Sequence, residues 1–381
     1  MRLVFTTWAW PTHLYALVPF AWACRAAGHD VVFASQPALL DEIVGAGLPA
    51  AAVGSDVDTV GIVREYLRPS RVEGPPRAVR MLMAHAESMV DDLTALVRDW
   101  RADVVVHDQT ALAGPLAAAA GKVPAVRHLY GADLMSRVAP QLAEVFAPLA
   151  ERLGAQGFDP CGDLTVDPVP PSVQGPATQR RLSVRYVPYS GATVLPVDLP
   201  DARERPRVCV TWGHTIAKVD AERFPVGRIA DAAAELDVEV VVAVSANQRA
   251  LLGPLPESVR VLVDQPLEEI LARCDLLVGH GGAAGILTAL RAGLPMLLVP
   301  QLPDHAGHSA RVAARGAGTV LGVEELPGVK ERIERLLPDS SVERREARAV
   351  AEEMRAQPAP ASAVTSLTAL LGDRAGAERI L

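Results

Sequence analysis

A glycine pair introduced by a histidine, His280-Gly281-Gly282, stands where an apolar run, Asp275–Gly279, meets a helix of small residues predicted over Ala283–Ala292. The first amides of a helix have no intrahelical partner and carry its partial positive charge, so such a turn suits a phosphate. Two glycines let an anion approach the backbone, and the His280 ring adds a donor. After Gly293 a second apolar run, Pro295–Pro300, ends in the polar stretch LPDHAGH (302–308), read as a loop that presents Asp304 and His305. Far away in sequence, His13 follows the first apolar run of the chain and Asp108 closes another, Asp103–His107. A carboxylate and an imidazole at neighbouring strand ends can meet only through the fold.

Strand, glycine turn, helix and strand make a βαβ unit, and open parallel sheets collect ligands at the carboxyl ends of their strands. His280, Asp304, His13 and Asp108 all fall at such ends. In the N-terminal half, Arg2–Thr7 reads as a buried strand, Trp8–Thr12 as a loop, His13–Ala27 as a helix closed by Gly28, and Asp30–Ala34 as the next strand. That first turn lacks GxGxxG, which argues against a dinucleotide site. Helix 37–46, strand 48–53 and a long amphipathic helix from about Pro75 to Trp100 lead to the strand that ends at Asp108; Met81, His85, Met89 and Leu93 lie near helical spacing on that helix. From Met135 a helix runs to Leu153, and GFDPCGDLTVDPVPPSVQ (157–174) then reads as surface loop. A second series begins at Arg207–Trp212 and continues through helix 220–236, strand 238–244, helix 247–252 and strand 259–263. Alternating charge from Val342 predicts a solvated helix, and PAPASAVTSLTALL (358–371) a last one.

At 381 residues the chain is long for one core, so two domains are expected; with half the residues hydrophobic and only 4 % aromatic, packing must rest on aliphatics. A net charge of −8 argues against a nucleic-acid or anionic-membrane partner. Cys24, Cys161, Cys209 and Cys274 are widely spaced and form no CxxC, as expected of reduced, buried thiols in a cytoplasmic protein. Pro11, His13 and Pro19 interrupt the N-terminal apolar stretch, so no signal peptide is expected, and no run of ~20 apolar residues offers a membrane span. His305 and His308, with His280, imitate a metal site, but HExxH is absent and an i, i+3 pair is ordinary in a polar stretch; no metal is expected. His107 and His128 are given no role beyond satisfying buried backbone.

As a whole, 275–318 resembles the donor-nucleotide motif of the bacterial family 1 glycosyltransferases, the inverting enzymes that decorate natural products. HGGAAG, LTALRAGLP, PQLPDH, RVAA and GAG follow that family's order. THLYALVPFAWACRAAGHDV (12–31) resembles the segment carrying the family's general base, which falls on His13. ADVVVHDQTALAGPLAAAAGKVPAV (102–126) resembles the segment whose aspartate orients that base, here Asp108. Taken alone, Asp108 also suits a helix N-cap facing the Thr110 and Ala111 amides. The resemblance implies an α/β fold of two facing Rossmann-like domains with parallel sheets, the glycosyltransferase-B type. Its parts are an acceptor domain over 1–190, a linker over 191–206, a nucleotide-sugar domain over 207–357, and a C-terminal helix in 358–381 returning to the first domain. Donor contacts are implied for Thr211, Gly213 and His214, for Val263 and Gln265 near the base, for His280, Gly281, Gly282 and Ala283 at the diphosphate, and for Asp304 and His305 at the sugar. The chain departs from the family's habit in two places: on the donor side His214 replaces Ser or Thr, Gln265 an aromatic, Gly285 a hydroxyl residue and His305 a Gln, and before His13 Trp10 and Pro11 replace part of a glycine-rich loop. Trp10, Met81, His85 and Tyr130 are expected on the acceptor side.

The implied reaction moves a deoxysugar from dTDP to a hydroxyl of a polyketide-like or other natural-product aglycone, with inversion and without metal or cofactor. Fewer polar donor contacts fit a sugar with fewer hydroxyls. An acceptor hydroxyl attacks well only when a base takes its proton, and a carboxylate on one imidazole nitrogen leaves the other bare to do so. The leaving diphosphate falls to His280 and the helix N-terminus. Alternatives are C-glycosylation of a phenolic ring, a nucleotide-sugar epimerase, and a non-catalytic aglycone-binding or auxiliary homologue. The epimerase is disfavoured because His13 and Asp108 match the transferase pattern. Nucleotide sugar and aglycone are the expected partners, and a homodimer is carried as an expectation.

Overall fold

The computed structural model describes residues 1–66, 76–175, 179–195 and 198–377. The expected helix start at Pro75, two residues of the expected linker (196 and 197) and the last four residues of the C-terminal segment lie outside these. The chain divides into two compact units, one of Met1–Val169, Pro176–Gly191 and Gln357–Leu381, the other of Pro170–Gly175 and Ala192–Ala356.

The first unit opens with β1 (Arg2–Thr6), α1 (Pro11–Ala26), β2 (Asp30–Ser35), α2 (Leu40–Gly45), β3 (Ala50–Ala52), α3 (Thr59–Tyr66) and α4 (Arg77–Asp99). It continues with β4 (Val104–Asp108), α5 (Ala113–Gly121), β5 (Ala125–His128), α6 (Ala139–Leu153), β6 (Leu164–Asp167) and β7 (Arg181–Ser183). Among the described residues its sheet runs β3-β2-β1-β4-β5-β6-β7, and every pairing is parallel. Runs such as VVVHD are buried on both faces, as parallel strands covered by helices must be. α1 begins two residues before the expected helix, because Pro11 enters at the first helical position with its φ already set. β6 lies inside the stretch read as surface loop. Four residues among so many Pro, Gly and Asp offer too little periodicity to read, yet all four are buried.

The second unit carries β8 (Arg207–Thr211), α7 (Thr215–Val219), α8 (Val226–Ala234), β9 (Glu239–Val244), α9 (Ala246–Arg249), β10 (Val259–Val263) and α10 (Leu267–Leu271). There follow β11 (Leu276–Gly279), α11 (Ala283–Ala292), β12 (Met296–Leu298), α12 (Pro303–Arg315), β13 (Gly318–Val320), α13 (Val329–Leu336) and α14 (Val342–Ala356). Its sheet is again parallel, in the order β10-β9-β8-β11-β12-β13 among the described residues. α12 corrects an expectation: LPDHAGH is no loop but the entry and first turns of a helix. Pro303 supplies the first helical position, and Asp304 places a carboxylate in the first turn, where the helix dipole favours it. The last helix, α15 (Pro360–Ala377), belongs to the first unit, where Ala363, Val364 and Leu367 share a core with Leu14, Leu17 and Phe20 of α1.

Candidate active site

In the first unit β1 lies beside β4 in parallel, with Thr6 opposite His107, so the chain leaves both strands at one edge. There His13, on the first turn of α1, meets Asp108: the Nδ1–Oδ2 distance is 2.5 Å. The carboxylate is fully buried and fully supplied. Oδ1 accepts from the Thr110 amide at 2.5 Å and the Thr110 hydroxyl at 2.6 Å, and Oδ2 accepts also from the Thr7 hydroxyl at 3.3 Å. Burial alone would raise the Asp108 carboxyl, but the facing His13 and the two Thr110 donors hold it below the usual carboxylate range. An ionised carboxylate only accepts, so His13 Nδ1 carries the proton and Nε2 is the basic nitrogen. Asp108 thus bonds both its own turn and the imidazole. α5 approaches β4 closely because residue 114 is glycine; a Cβ there would come within 2.4 Å of the His107 Cβ.

Two aromatic side chains enclose His13. Its ring centroid lies 4.6 Å from that of Trp8 and 4.4 Å from that of Tyr130, and its side chain keeps 13 % exposure. Trp10 is buried and packs on Trp8, while Met81 is half-buried on α4. His85, expected on the acceptor side, is 2 % exposed and stacks under Trp8 at 4.5 Å. Its nitrogens are engaged with Gln36 Oε1 at 3.2 Å and Thr59 Oγ1 at 3.1 Å, so it supports Trp8 from within the core. Burial, then the nearby His13, pushes the His85 imidazole down to about 4. The Tyr130 loop is pinned beneath by a buried ion network: Arg127 reaches Asp133 at 2.8 Å, and Arg181 reaches Asp133 at 2.8 Å and Asp167 at 2.7 Å.

In the second unit β11 sits between β8 and β12, with Gly279 level with both Thr211 and Leu298. The turns after these three strands therefore share the sheet's carboxyl edge, which gathers Gly213, His214, His280, Gly281, Gly282, Asp304 and His305. The His280 ring lies between two glycines: a Cβ on Gly282 would come within 2.4 Å of Nε2, and one on Gly213 within 2.7 Å of Cε1. Gly281 has φ +86°, and a Cβ there would meet Ser309 Oγ at 2.3 Å. Gly282 caps α11 without any side-chain acceptor of its own. His280 and His305 meet edge to face at 4.6 Å, and among the described residues neither Nδ1 has a hydrogen-bond partner. Burial holds His280 well below the ordinary imidazole range; the neighbouring His305 and His214 add to this, and a hydrogen bond to the Thr211 backbone opposes it. Burial likewise lowers His305, and it takes His308 to about 4.

The remaining donor-side expectations fall at the same edge. The Thr211 hydroxyl donates to the Ala243 carbonyl at 2.8 Å, and Gln248 Nε2 bonds the Gly213 carbonyl, fixing the loop before His214. Val263 ends β10; Asp264 then adopts φ +51°, and Gln265 Nε2 turns back on the Val263 carbonyl at 3.5 Å. The Asp304 carboxylate is 49 % exposed, 3.9 Å from His305 Nε2.

Sequence reasoning had missed Trp8, Thr110, Ser309 and Gln248. Thr110 was visible only as an amide two residues past Asp108, and Trp8 as part of a loop; neither motif announces the hydrogen bond between them. Among the described residues no group of three or more His, Cys, Asp or Glu side chains is placed to hold a metal ion, and no helix is long and apolar enough to cross a membrane.

Comparison with known proteins bears on both units. The profile described as erythromycin biosynthesis protein CIII-like, N-terminal domain, matches residues 22–72 and 75–213, and its C-terminal counterpart matches 227–370. The 10-deoxymethynolide desosaminyltransferase of Streptomyces venezuelae is 34 % identical, over 97 % of this chain and 97 % of its own. The aclacinomycin-T 2-deoxy-L-fucose transferase of Streptomyces galilaeus is 33 % identical, over 98 % and 97 %. The crystal structure of glycosyltransferase VinC in complex with dTDP is similar at a TM-score of 0.81 and 30 % identity, covering 98 % of this chain and all of that one.

Proposed function

This chain belongs to the erythromycin biosynthesis protein CIII-like family of nucleotide-sugar-dependent deoxysugar glycosyltransferases, and on that premise we propose its reaction. It moves a deoxysugar from a dTDP-sugar to a hydroxyl of a polyketide-like or other natural-product aglycone, with inversion. His13 Nε2 takes the acceptor hydroxyl proton while the oxygen attacks the anomeric carbon. The bond from that carbon to the diphosphate breaks, and its electron pair leaves on the phosphate oxygen. His280 and the first amides of α11 meet that charge, so the proposal needs no metal or cofactor besides the nucleotide sugar.

The observation that supports this reading most is the 2.5 Å pairing of His13 with a buried carboxylate supplied with donors at both oxygens. The relatives' names, desosaminyl and 2-deoxy-L-fucose transferases, favour a deoxysugar, and the dTDP held by VinC favours a thymidine nucleotide. The test is His13→Gln, with transfer to an aliphatic alcohol and binding of dTDP measured side by side. Transfer is expected to fall at least 10²-fold with dTDP affinity unchanged; retained turnover removes the base. Separately, turnover of UDP-glucose well above any dTDP-deoxysugar overturns the donor assignment.

A further inference from the structure

We propose that Trp8 is a positioning residue for His13, acting through Thr110 and Asp108 by the direction its indole N–H imposes on the hydrogen bonds between them. The inference rests on His13 being the base, and it concerns how the correct nitrogen of that base is kept bare.

Four bonds make the chain. Trp8 Nε1 donates to Thr110 Oγ1 at 2.9 Å, Thr110 Oγ1 donates to Asp108 Oδ1 at 2.6 Å, the Thr110 amide donates to the same oxygen at 2.5 Å, and Asp108 Oδ2 meets His13 Nδ1 at 2.5 Å. An indole nitrogen has no acceptor capacity, whereas a hydroxyl has one proton and two lone pairs. The Trp8 proton therefore fills a lone pair of Thr110 and commits the hydroxyl proton elsewhere. Two neighbours compete for Thr110: Asp108 Oδ1 at 2.6 Å and His13 Nδ1 at 3.4 Å. A hydroxyl turned toward His13 would donate to Nδ1 and favour the tautomer protonated on Nε2, which cannot take a proton from an acceptor. Donation from Trp8 polarises the hydroxyl toward the carboxylate and closes off that alternative.

The indole is held to this task on both sides. Its ring packs on His13 at 4.6 Å and stacks on His85 at 4.5 Å with 28° between planes, and His85 is in turn fastened to Gln36 and Thr59. Trp8 itself is 4 % exposed, so its N–H has no water to fall back on and its partner in Thr110 is obligatory. A phenylalanine at position 8 would fill most of the same space without the proton.

Trp8→Phe and Thr110→Val are compared with the unchanged enzyme by nitrogen-15 NMR of labelled histidine, the His13 signal being assigned by its absence in His13→Gln. The expected result is an Nδ1-protonated ring in the unchanged enzyme, a mixture of tautomers in Trp8→Phe, and an Nδ1-protonated ring again in Thr110→Val, which has no hydroxyl to turn toward Nδ1. Loss of one hydrogen bond is expected to lower kcat about tenfold while KM for the nucleotide sugar stays constant. Thr110→Ser, which keeps a hydroxyl under the Trp8 N–H, should keep the tautomer and the rate of the unchanged enzyme. If Trp8→Phe fails to fold, site-specific benzothienylalanine at position 8 replaces the N–H by sulfur in a ring of the same shape. An unchanged His13 tautomer in either Trp8 replacement overturns the proposal, whatever happens to the rate. A His13→Gln enzyme that still turns over would instead overturn the base assignment and leave the tautomer result standing.

Discussion

His13 meets a carboxylate whose two oxygens receive donors from Thr7, Thr110 and the imidazole itself, whereas His280 and His305, at the matching edge of the other sheet, are packed together with no counter-charge on Nδ1. Both regions stand at the carboxyl ends of parallel strands and both use a close-packed imidazole. They differ in which partner supplies the negative charge. The base role proposed for His13, taking a proton from a neutral hydroxyl, is served by a permanent anion behind the ring, and Asp108 is one. Under the proposed donor role a diphosphate brings its anion with it, and the Asp304 carboxylate stands off at 3.9 Å from His305 Nε2, on the far nitrogen from the unpartnered Nδ1. The second unit leaves two buried ring nitrogens without a hydrogen-bond partner among the described residues, a cost that a ligand would offset under the proposed donor role.

Breaking the first region is expected to have the largest effect. Asp108→Asn retains the shape but turns a pure acceptor into a group that can donate to Nδ1, which stabilises the wrong tautomer. A loss of about 10³–10⁴ in kcat with unchanged dTDP affinity is expected from steady-state kinetics and calorimetry; a loss of dTDP binding instead would break the division of labour.

Breaking the second region should act on the nucleotide and spare the acceptor. Gly281→Ala sets a Cβ 2.3 Å from Ser309 Oγ and 2.9 Å from the His305 carbonyl, on a backbone with φ +86°. dTDP affinity is expected to fall about 10²-fold, the size of effect produced by removing oriented donors from an anion. Adding Ser309→Ala relieves only the side-chain clash, so partial recovery in the double variant would apportion the loss between clash and backbone strain.

A proton balance sharpens the contrast further. His280 is lowered by burial and by His305 and His214; His305 also faces Asp304, His308 faces Asp304 and His305, and His214 faces Lys218 and Asp264. A bound diphosphate favours the charged imidazole and raises it. dTDP binding at pH 7 is then expected to take up protons, seen as different apparent enthalpies in phosphate and Tris buffers, with affinity rising from pH 8 to pH 6. Zero uptake would mean that the ligand meets neutral rings only.

The smallest and broadest effect is on stability. In the unfolded chain a histidine takes its proton below about 6.5. In the folded chain burial holds His85, His107, His128 and His308 neutral down to about 4. The fold thus binds fewer protons between these limits, and stability that is fully present above pH 6.5 is lost as pH falls toward 4. The thermal midpoint should drop between pH 7 and pH 5, and saturating dTDP should offset part of that drop. A flat profile would contradict the buried neutral rings.

The glycine turn before α11 was legible because its parts are contiguous: an apolar strand, two glycines and a helix of small residues describe one local event. The end of the following strand was misread, since LPDHAGH carries glycine, proline and aspartate in a helix whose stability comes from burying His305, His308 and Val312 rather than from local propensity. β6 escaped for the same reason, four buried residues in a background of turn formers.

Residue order alone settled which groups stand at strand ends, because alternation of apolar runs and helices obliges parallel strands to release the chain at one edge. It also supplied His13 and Asp108 as candidates. Only the tertiary structure decided that β1 lies against β4, which sets His13, Asp108, Thr110 and Trp8 within hydrogen-bond reach across about a hundred residues of chain. Such contacts depend on strand order and register, and these are fixed by burial of whole faces rather than by any motif the four residues form among themselves.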